Sequence, residues 1–270
     1  MKRSGNARRR PSSAPAAVTG WAYFFDIDGT LVDIAGSPDS IRLDRALLCL
    51  LERLSHAAGG AMALISGRSI EDIDRLFIGS HAGSLLPVAG QHGIERRDAS
   101  GRISYHEFPA ERLAMPRDRL ADAVARHRGL LLEDKGLSLA LHYRRVPKLA
   151  SYAHRLVRSL LAELGDDYCM QSGKRVVEIR PTGRHKGGAV REFMHEMPFR
   201  GRTPVFIGDD ATDEDAFAVV NRLKGHSIKV GAGRTVAHWR LPDVRAVRTW
   251  LRKALPVPDS DRRSEAELAL

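Results

Sequence analysis

Two aspartates stand one residue apart directly after a short aromatic and apolar run. The run, residues 21–25, predicts a buried strand, and Asp26 and Asp28 follow it with a glycine that permits a tight turn. Ligands of open α/β sheets bind at the carboxyl ends of the strands, so both carboxylates could reach one ligand. An Asp-Gly pair is also common in solvated turns. A calcium loop is excluded, because its glycine and glutamate positions hold Leu31 and Ser37.

Two later strand ends carry polar side chains. Residues 61–65 run into Ser66 and Arg68, whose hydroxyl and guanidinium suit a phosphate oxyanion, although Ser-Gly is ordinary turn chemistry as well. Residues 204–207 run into an acidic stretch in which Asp209 comes first. Five acids within seven positions repel one another unless a cation or a buried base compensates. Asp209 is therefore the metal candidate of this stretch.

A lysine opens the helix that residues 186–195 predict. Lys186 could neutralise a phosphate or a carboxylate nucleophile, although single lysines are usually solvated. It does not belong to a nucleotide-binding P-loop, because the chain contains no GxxxxGKS or GxxxxGKT segment.

The elements around these residues follow two patterns. Outside residues 109–181, short apolar strands alternate with helices, which predicts an α/β fold with a parallel sheet covered on both faces. Residues 109–181 predict a helix followed by a hairpin, twice, which indicates a small inserted α+β domain. Residues 1–20 and 256–270 contain few bulky apolar side chains, and we interpret both as tails, the first of them disordered.

Taken in chain order, the motifs resemble the haloacid dehalogenase superfamily of phosphotransferases. They are DxDGT at residues 26–30, Ser66, Lys186 and GDDxxD at residues 208–213. The resemblance covers residues 21–252. It implies a Rossmann-like core built from residues 21–108 and 182–255, with residues 109–181 forming a mobile C2-type cap.

Further segments resemble the trehalose-6-phosphate phosphatase family within this superfamily. They are Gly90-Gln91-His92-Gly93, Glu133-Asp134-Lys135, His142-Tyr143-Arg144, Glu178-Ile179-Arg180-Pro181 and the acidic stretch from Gly208 to Phe217. In that family the cap supplies Glu and Lys side chains to the sugar hydroxyls, which implies this role for Glu133, Lys135 and Glu178. The other candidate substrate contacts are Arg68, His92, His142 and Arg180. Composition alone would predict an ordinary solvated sheet face here.

The resemblance also implies a two-step phosphatase mechanism. Asp26 attacks phosphorus and forms an aspartyl-phosphate. Asp28 protonates the departing sugar oxygen and then takes a proton from the hydrolytic water. Asp213 positions Lys186 or a metal-bound water. The implied substrate is trehalose 6-phosphate, and sucrose phosphate or a mannosyl phosphoglycerate remain alternatives for the same core.

The implied cofactor is Mg²⁺. Its ligands would be the Asp26 carboxylate, the Asp28 backbone carbonyl and Asp209, a sparse oxygen set that suits this ion. Ser66 and Lys186 would hold the other phosphoryl oxygens. Every residue that this chemistry needs is present, which argues against an inactive scaffold.

The net charge of +10 lies mainly in two segments. Residues 1–20 hold five basic and no acidic residues, and residues 109–181 hold 14 basic and nine acidic residues. The Arg-rich tail suggests a nucleic-acid or membrane-binding protein as a different class. The sequence carries no helix-turn-helix, zinc or RNA-binding signature, so we expect no specific nucleic-acid partner. A basic cap that closes on an anionic sugar phosphate accounts for the second excess of charge.

The remaining composition predicts a cytoplasmic enzyme. No apolar run approaches the roughly 20 residues of a membrane helix, and we expect no membrane span. Two cysteines exclude a disulfide scaffold. Because Cys49 and Cys169 lie inside a predicted helix and a predicted strand, we expect both to be buried thiols.

Overall fold

The chain folds around two β-sheets. The computed structural model describes residues 14–34, 41–77, 86–106 and 109–255. The larger sheet has eight strands, and the smaller one, which we call the second sheet, has four.

The strands and helices follow one another in a regular order. The strands are β1 (Trp21–Phe25), β2 (Met62–Ile65), β3 (Val88–Gly90), β4 (Glu95–Arg97), β5 (Ile103–Tyr105), β6 (Leu131–Asp134), β7 (Leu139–His142), β8 (Tyr168–Gly173), β9 (Val176–Pro181), β10 (Thr203–Gly208), β11 (His226–Val230) and β12 (Trp239–Leu241). The helices are α1 (Arg45–Ala57), α2 (Ile70–Leu76), α3 (Ala114–Arg126), α4 (Ala150–Leu164), α5 (Lys186–Met194), α6 (Glu214–Arg222) and α7 (Val244–Ala254). None of the described helices is long and apolar enough to cross a membrane.

The larger sheet runs in the order β12-β11-β10-β1-β2-β3-β4-β5. Its strands are parallel from β12 to β3, and β4 and β5 continue it as antiparallel strands. The predicted α/β fold with a parallel sheet is therefore confirmed, with an antiparallel hairpin added at one edge.

Helices cover both faces of the larger sheet, because successive side chains of a strand point to opposite faces. In β1, Tyr23 and Phe25 pack in the same apolar cluster as α1, α2 and α7. Ala22 and Phe24 point the other way and pack with α5 and α6. Both faces of the central strand are thus buried, and its polar chemistry is confined to its carboxyl end.

The second sheet runs in the order β6-β7-β9-β8 and is antiparallel throughout. Leu139 and Leu141 of β7 pack with α3 and α4 on one face. Ala140 and His142 alternate with them and line a cavity on the other face. Apolar and cavity-lining side chains therefore alternate along β7, and one face of this sheet is left for polar contacts.

The prediction of two buried thiols is wrong. Both cysteines are free, and Cys49 is exposed whereas Cys169 is half-buried. The buried stripe of α1 includes Leu47 and Leu51. Cys49 follows Leu47 by two residues, which turns it about 200° around the helix and away from the core.

The predicted N-terminal tail extends too far into the chain. Ala17 is buried in the core of the larger sheet, and the carbonyl oxygen of Pro15 accepts a 2.7 Å hydrogen bond from the Trp250 indole. These contacts make the described part of that segment a component of the fold. Residues 1–13 and 256–270, the remaining parts of the predicted tails, lie outside the described residues.

Candidate active site

A cavity lies where the carboxyl ends of β1, β2 and β10 face the polar side of the second sheet. The predicted site residues in its lining are Asp26, Asp28, Ser66, Arg68, His92, Glu133, Lys135, His142, Glu178, Lys186 and Asp209. Residues separated by up to 183 positions in the chain therefore meet at one place. Two predicted residues, Asp213 and Arg180, are not part of the described lining.

Lys186 bridges two buried carboxylates at the first residue of α5. Its Nζ donates to Oδ1 of Asp26 at 2.6 Å and to Oδ1 of Asp213 at 2.7 Å. Burial acts to lower the pKa of Lys186, but the charges of Asp213 and Asp26 outweigh burial and raise it. The ammonium group therefore stays charged between the two carboxylates. The helix that presents it is capped by His185, whose Nδ1 accepts from the Gly188 amide.

Asp26 lies beside two other buried acids, Asp209 and Asp213. Burial raises its pKa well above its ordinary value, Lys186 opposes this rise, and Asp213 and Asp209 add to it. The hydroxyl of Thr30 donates to Oδ2 of Asp26 at 3.3 Å. One lysine thus serves several buried acids, and a further cation would stabilise the ionised carboxylate.

Asp209 offers a free oxygen for that cation. Its Oδ1 is buried and has no hydrogen-bond partner among the described residues, while Lys174 Nζ forms an ion pair with its Oδ2. Carboxylate oxygens of Asp26, Asp209 and Asp213 lie within 4.8 Å of one another. Oxygen donors at this spacing suit a small divalent cation, so the residues fit the predicted metal.

Both oxygens of Asp213 are already engaged, Oδ1 by Lys186 at 2.7 Å and Oδ2 by the backbone amide of Asp210 at 2.9 Å. Both oxygens of Asp26 also accept hydrogen bonds, from Lys186 and Thr30. Within the described part of the chain, the unpartnered oxygen of these three carboxylates is therefore Oδ1 of Asp209. The full predicted ligand set, which adds Asp26 and the Asp28 backbone carbonyl, stays a prediction.

Gly29 is required at its position for two separate reasons. Its φ is +85°, in the left-handed region that favours glycine. A Cβ atom there would lie 2.2 Å from Oδ2 of Asp209. The glycine of the first motif therefore makes room for the acid of the last one.

Asp28 and Arg68 form a two-pronged ion pair at the mouth of the cavity. Arg68 Nε donates to Oδ2 of Asp28 at 2.7 Å, and Nη2 donates to Oδ1 at 2.8 Å. The Asp28 side chain is 32% exposed, so it remains accessible from the cavity. Arg68 was predicted to contact phosphate, and in this structure it positions the candidate general acid.

Lys135 and Glu178 form a buried ion pair on the second sheet, with 3.2 Å between Nζ and Oε1. The hydroxyl of Ser138 donates to the same oxygen at 2.7 Å, and His92 Nε2 lies 3.5 Å from Oε2. Burial acts to raise the pKa of Glu178, but Lys135, His92 and Ser138 outweigh it and hold this pKa well below its usual range. The structure thus places two predicted substrate contacts, Lys135 and His92, beside the ionised carboxylate of a third, Glu178.

Glu133 and His142 face each other across the β6–β7 pair. His142 Nε2 lies 2.7 Å from Oε2 of Glu133. Burial acts to raise the pKa of Glu133, but the hydrogen bond from His142 and the charge of Lys135 lower it overall. Both side chains line the cavity, so they add a second polar pair to the same face.

Arg180 does not take the predicted position. It follows Glu178 by two residues and so shares a face of β9 with it. Its guanidinium Nη1 nevertheless donates to the backbone carbonyl of Arg184, which draws the side chain toward the start of α5. The described lining of the cavity does not include it.

Two lysines of the site were missed by sequence reasoning. Lys174 lies in the turn between β8 and β9, and the sequence marks it only as part of a hairpin. Lys229 lies on β11, and its Nζ donates to the backbone carbonyl of Asp209 at 2.5 Å. A lysine between the apolar residues Ile228 and Val230 was the available signal for Lys229.

Sequence comparisons show which known proteins this chain resembles. Residues 24–244 match a family model described as trehalose-phosphatase. The trehalose-6-phosphate phosphatase of Escherichia coli (strain K12) is 43% identical over 243 residues, which cover 89% of this chain and 88% of that protein.

Solved structures show the same fold. A trehalose-6-phosphate phosphatase related protein superposes with a TM-score of 0.67 at 29% identity, over 85% of this chain and 95% of that one. A phosphatase of the haloalkanoate (HAD) superfamily from Bacteroides thetaiotaomicron superposes with a TM-score of 0.58 at 14% identity, over 92% and 97% of the two chains. The second likeness concerns the fold alone.

Proposed function

The chain belongs to the trehalose-phosphatase family, and on that premise we propose that it hydrolyses trehalose 6-phosphate to trehalose and phosphate with the help of Mg²⁺. The observation that carries the proposal is the shared cavity. It joins the acidic cluster of Asp26 and Asp209 to the polar face that holds Lys135 and Glu178. A phosphate at one end and sugar hydroxyls at the other match these two halves.

Asp26 is the nucleophile of the proposed reaction. One of its carboxylate oxygens attacks phosphorus, and the bond between phosphorus and the sugar oxygen breaks. The sugar oxygen takes a proton from the carboxyl form of Asp28, which for this step carries the proton and is released from Arg68. Water then attacks the aspartyl-phosphate and gives a proton back to Asp28, and phosphate leaves Asp26. The contact of 2.6 Å from Lys186 supports this role, because it stabilises the charged form of Asp26.

Mg²⁺, when bound, supplies positive charge to the phosphoryl oxygens and to the buried acids. Asp26, Asp209 and the Asp28 backbone would hold it. The unpartnered Oδ1 of Asp209 supports this assignment. Ser66, which is buried in the cavity wall and lies beside Arg68, would bind another phosphoryl oxygen.

Residues 109–181 act as a cap in this proposal. Glu133, Lys135 and Glu178 would accept and donate hydrogen bonds to sugar hydroxyls, and their closure over the sugar would exclude bulk water from the phosphoryl group. Their burial and mutual ion pairs support a preformed binding face. Two free cysteines also suit the reducing cytoplasm in which we expect the enzyme to work.

The test is phosphate release on a panel of sugar phosphates. We expect hydrolysis of trehalose 6-phosphate, abolished by EDTA and restored by added Mg²⁺. Sucrose phosphate, mannosylphosphoglycerate and p-nitrophenyl phosphate serve as comparison substrates, each expected to have a kcat/KM at least roughly tenfold lower. A protein that released phosphate equally well from all four, or that kept full activity in EDTA, would contradict the proposal.

A further inference from the structure

Lys229 is a buried lysine that the proposed reaction does not use. It lies on β11, directly beside Gly208 of β10, and only 5% of it is exposed. Its Nζ donates to the backbone carbonyl of Asp209 at 2.5 Å. Burying an ammonium group costs free energy unless the group is well hydrogen-bonded. We therefore expect the contact between Lys229 and Asp209 to contribute to the site.

The peptide bond between Asp209 and Asp210 is held from both sides. Its carbonyl oxygen accepts from Lys229, and its N–H donates to Oδ2 of Asp213 at 2.9 Å. The other oxygen of Asp213 accepts from Lys186, which in turn donates to Asp26. A continuous set of hydrogen bonds therefore runs from β11 to the proposed nucleophile.

This peptide sets the direction in which the chain leaves β10. The Asp209 side chain projects from one of its ends, and the capping interaction of Asp210 with Asp213 begins at the other. A rotation of the peptide plane would move the free Oδ1 of Asp209 and would weaken the Asp210–Asp213 bond at the same time. A donor fixed to the neighbouring strand resists that rotation.

We propose that Lys229 is a positioning residue, which fixes the Asp209–Asp210 peptide so that Asp209 is aimed at the divalent cation and Asp213 is aimed at Lys186. The proposal rests on the proposed function, since it assigns Asp209 to the cation. Lys229 itself is not part of the described lining of the cavity. Outer contacts of this kind typically change metal affinity or activity by about 10- to 100-fold.

The primary variant is Lys229→Met, which keeps the length of the side chain and removes its charge and its hydrogen-bond donors. The matched control is Ser227→Ala. Ser227 lies on the same strand, is fully buried, and bonds to Asn221 and His238 rather than to the site. A loss caused by general damage to β11 would appear in both variants.

The first readout needs neither metal nor substrate. In protein stripped of metal, hydrogen–deuterium exchange is followed at the Asp210 amide. We expect this amide to exchange at least about tenfold faster in Lys229→Met than in the wild type, because a peptide that Lys229 no longer holds bonds less well to Asp213. We expect exchange within about twofold of the wild type in Ser227→Ala, since that variant leaves the peptide clamped.

The second readout is calorimetric titration with Mg²⁺ or Mn²⁺ in the absence of substrate. We expect the dissociation constant of Lys229→Met to rise by about 10- to 100-fold. At saturating Mg²⁺, kcat should fall while KM for trehalose 6-phosphate stays within about threefold, because the cap contacts are untouched. Lys229→Arg, which retains a charged donor, should lie between the wild type and Lys229→Met on all of these measurements.

The proposal is overturned if folded Lys229→Met matches Ser227→Ala in amide exchange, metal affinity and kcat. Should Lys229→Met fail to fold, Lys229→Gln is judged by the same three criteria. Exchange and metal binding do not depend on which sugar phosphate is hydrolysed. A failure of wild-type protein to hydrolyse trehalose 6-phosphate would therefore contradict the proposed function and leave the role of Lys229 to be decided by these two readouts.

Discussion

Lys135 Nζ donates a 2.7 Å hydrogen bond to the backbone carbonyl of Gly67. Lys135 directly follows β6 of the second sheet, and Gly67 lies between Ser66 and Arg68 in the turn after β2. The same ammonium group pairs with Glu178. The residue that we propose to bind the sugar is therefore bonded directly to the turn that we propose to bind the phosphate, so the proposed sugar recognition is linked to the geometry of that turn.

Removal of Glu178 should reduce activity on a substrate that carries the sugar much more than activity on a phosphate ester without one. In Glu178→Ala the buried ammonium of Lys135 loses its carboxylate, and the sugar loses a proposed acceptor. We expect kcat/KM for trehalose 6-phosphate to fall by roughly 100-fold, which corresponds to about 2.7 kcal/mol. Hydrolysis of p-nitrophenyl phosphate, which has no sugar, should change by less than about threefold. Steady-state phosphate release on both substrates measures the difference.

Glu163→Ala is the control for that experiment. Glu163 lies on α4, which packs on the second sheet, its side chain is 48% exposed, and it pairs with Arg119. We expect wild-type activity on both substrates from this variant. Equal losses on the two substrates in Glu178→Ala would refute the assignment of Glu178 to the sugar.

Asp26→Asn should abolish turnover and leave binding in place. The amide oxygen can still accept from Lys186, so the local structure is preserved, but the amide is a poor nucleophile. We expect kcat to fall by at least roughly a thousandfold. Calorimetry should show that trehalose 6-phosphate still binds. Asp33→Asn, an exposed acid shortly after the same motif, serves as the control and should retain full activity.

Many candidate site residues at the carboxyl ends of the parallel strands could be predicted, because their positions depend on local sequence patterns. A parallel sheet places the carboxyl ends of its strands side by side, so a motif that directly follows a strand must lie at that edge. Asp26, Ser66 and Asp209 are each of this kind. The sequence also predicted that Lys186 opens a helix, and the structure confirms that α5 begins there.

The remaining contacts could not be predicted because they join distant segments through side chains. Lys174 lies in a turn of the second sheet and pairs with Asp209 at the end of a strand of the larger sheet. Nothing in the sequence of a hairpin turn indicates which distant residue its lysine will contact. Arg180 shares the sequence pattern of Glu178, but it binds the backbone of Arg184 instead. β12 was also missed, since three residues are too few for their apolar-polar alternation to be distinguished from a loop.

Acid should destabilise the protein through Glu178, which lies on β9 of the second sheet. Burial acts to raise the pKa of this carboxyl, but Lys135, His92 and Ser138 together hold it well below its ordinary value of 4.5. A lowered carboxyl pKa means that the unfolded chain takes up the proton first as the pH falls. The contribution of Glu178 to the free energy of unfolding is therefore complete above pH 4.5 and is lost below it.

Urea denaturation of the wild type and Glu178→Gln measures this contribution. We expect the difference in unfolding free energy to be largest near about pH 7 and to shrink steadily from about pH 5 to about pH 3. Glu163→Gln, which alters an exposed ion pair, should differ little from the wild type throughout. A difference for Glu178→Gln that stayed constant with pH would contradict the pairing of Glu178 with Lys135.

Gly29 and Gly101 allow backbone strain to be separated from the close approach of Asp209. Their φ values are +85° and +84°, so alanine meets the same backbone penalty at both positions, about 1–2 kcal/mol. At Gly101 the added Cβ has no atom within 4 Å, whereas at Gly29 it would lie 2.2 Å from Oδ2 of Asp209. Alanine at Gly29 must therefore displace Asp209, the candidate metal ligand, whereas alanine at Gly101 displaces no neighbouring atom.

We expect Gly101→Ala to lose only that backbone penalty in stability, measured by urea denaturation, and to keep wild-type activity and Mg²⁺ affinity. Gly29→Ala should lose more stability, since Asp209 must be displaced from its buried position. It should also bind Mg²⁺ at least about tenfold more weakly by calorimetry, because a ligand that is moved no longer points at the cation. If both variants bound Mg²⁺ equally well, Asp209 would not be the ligand that the first motif is built to accommodate.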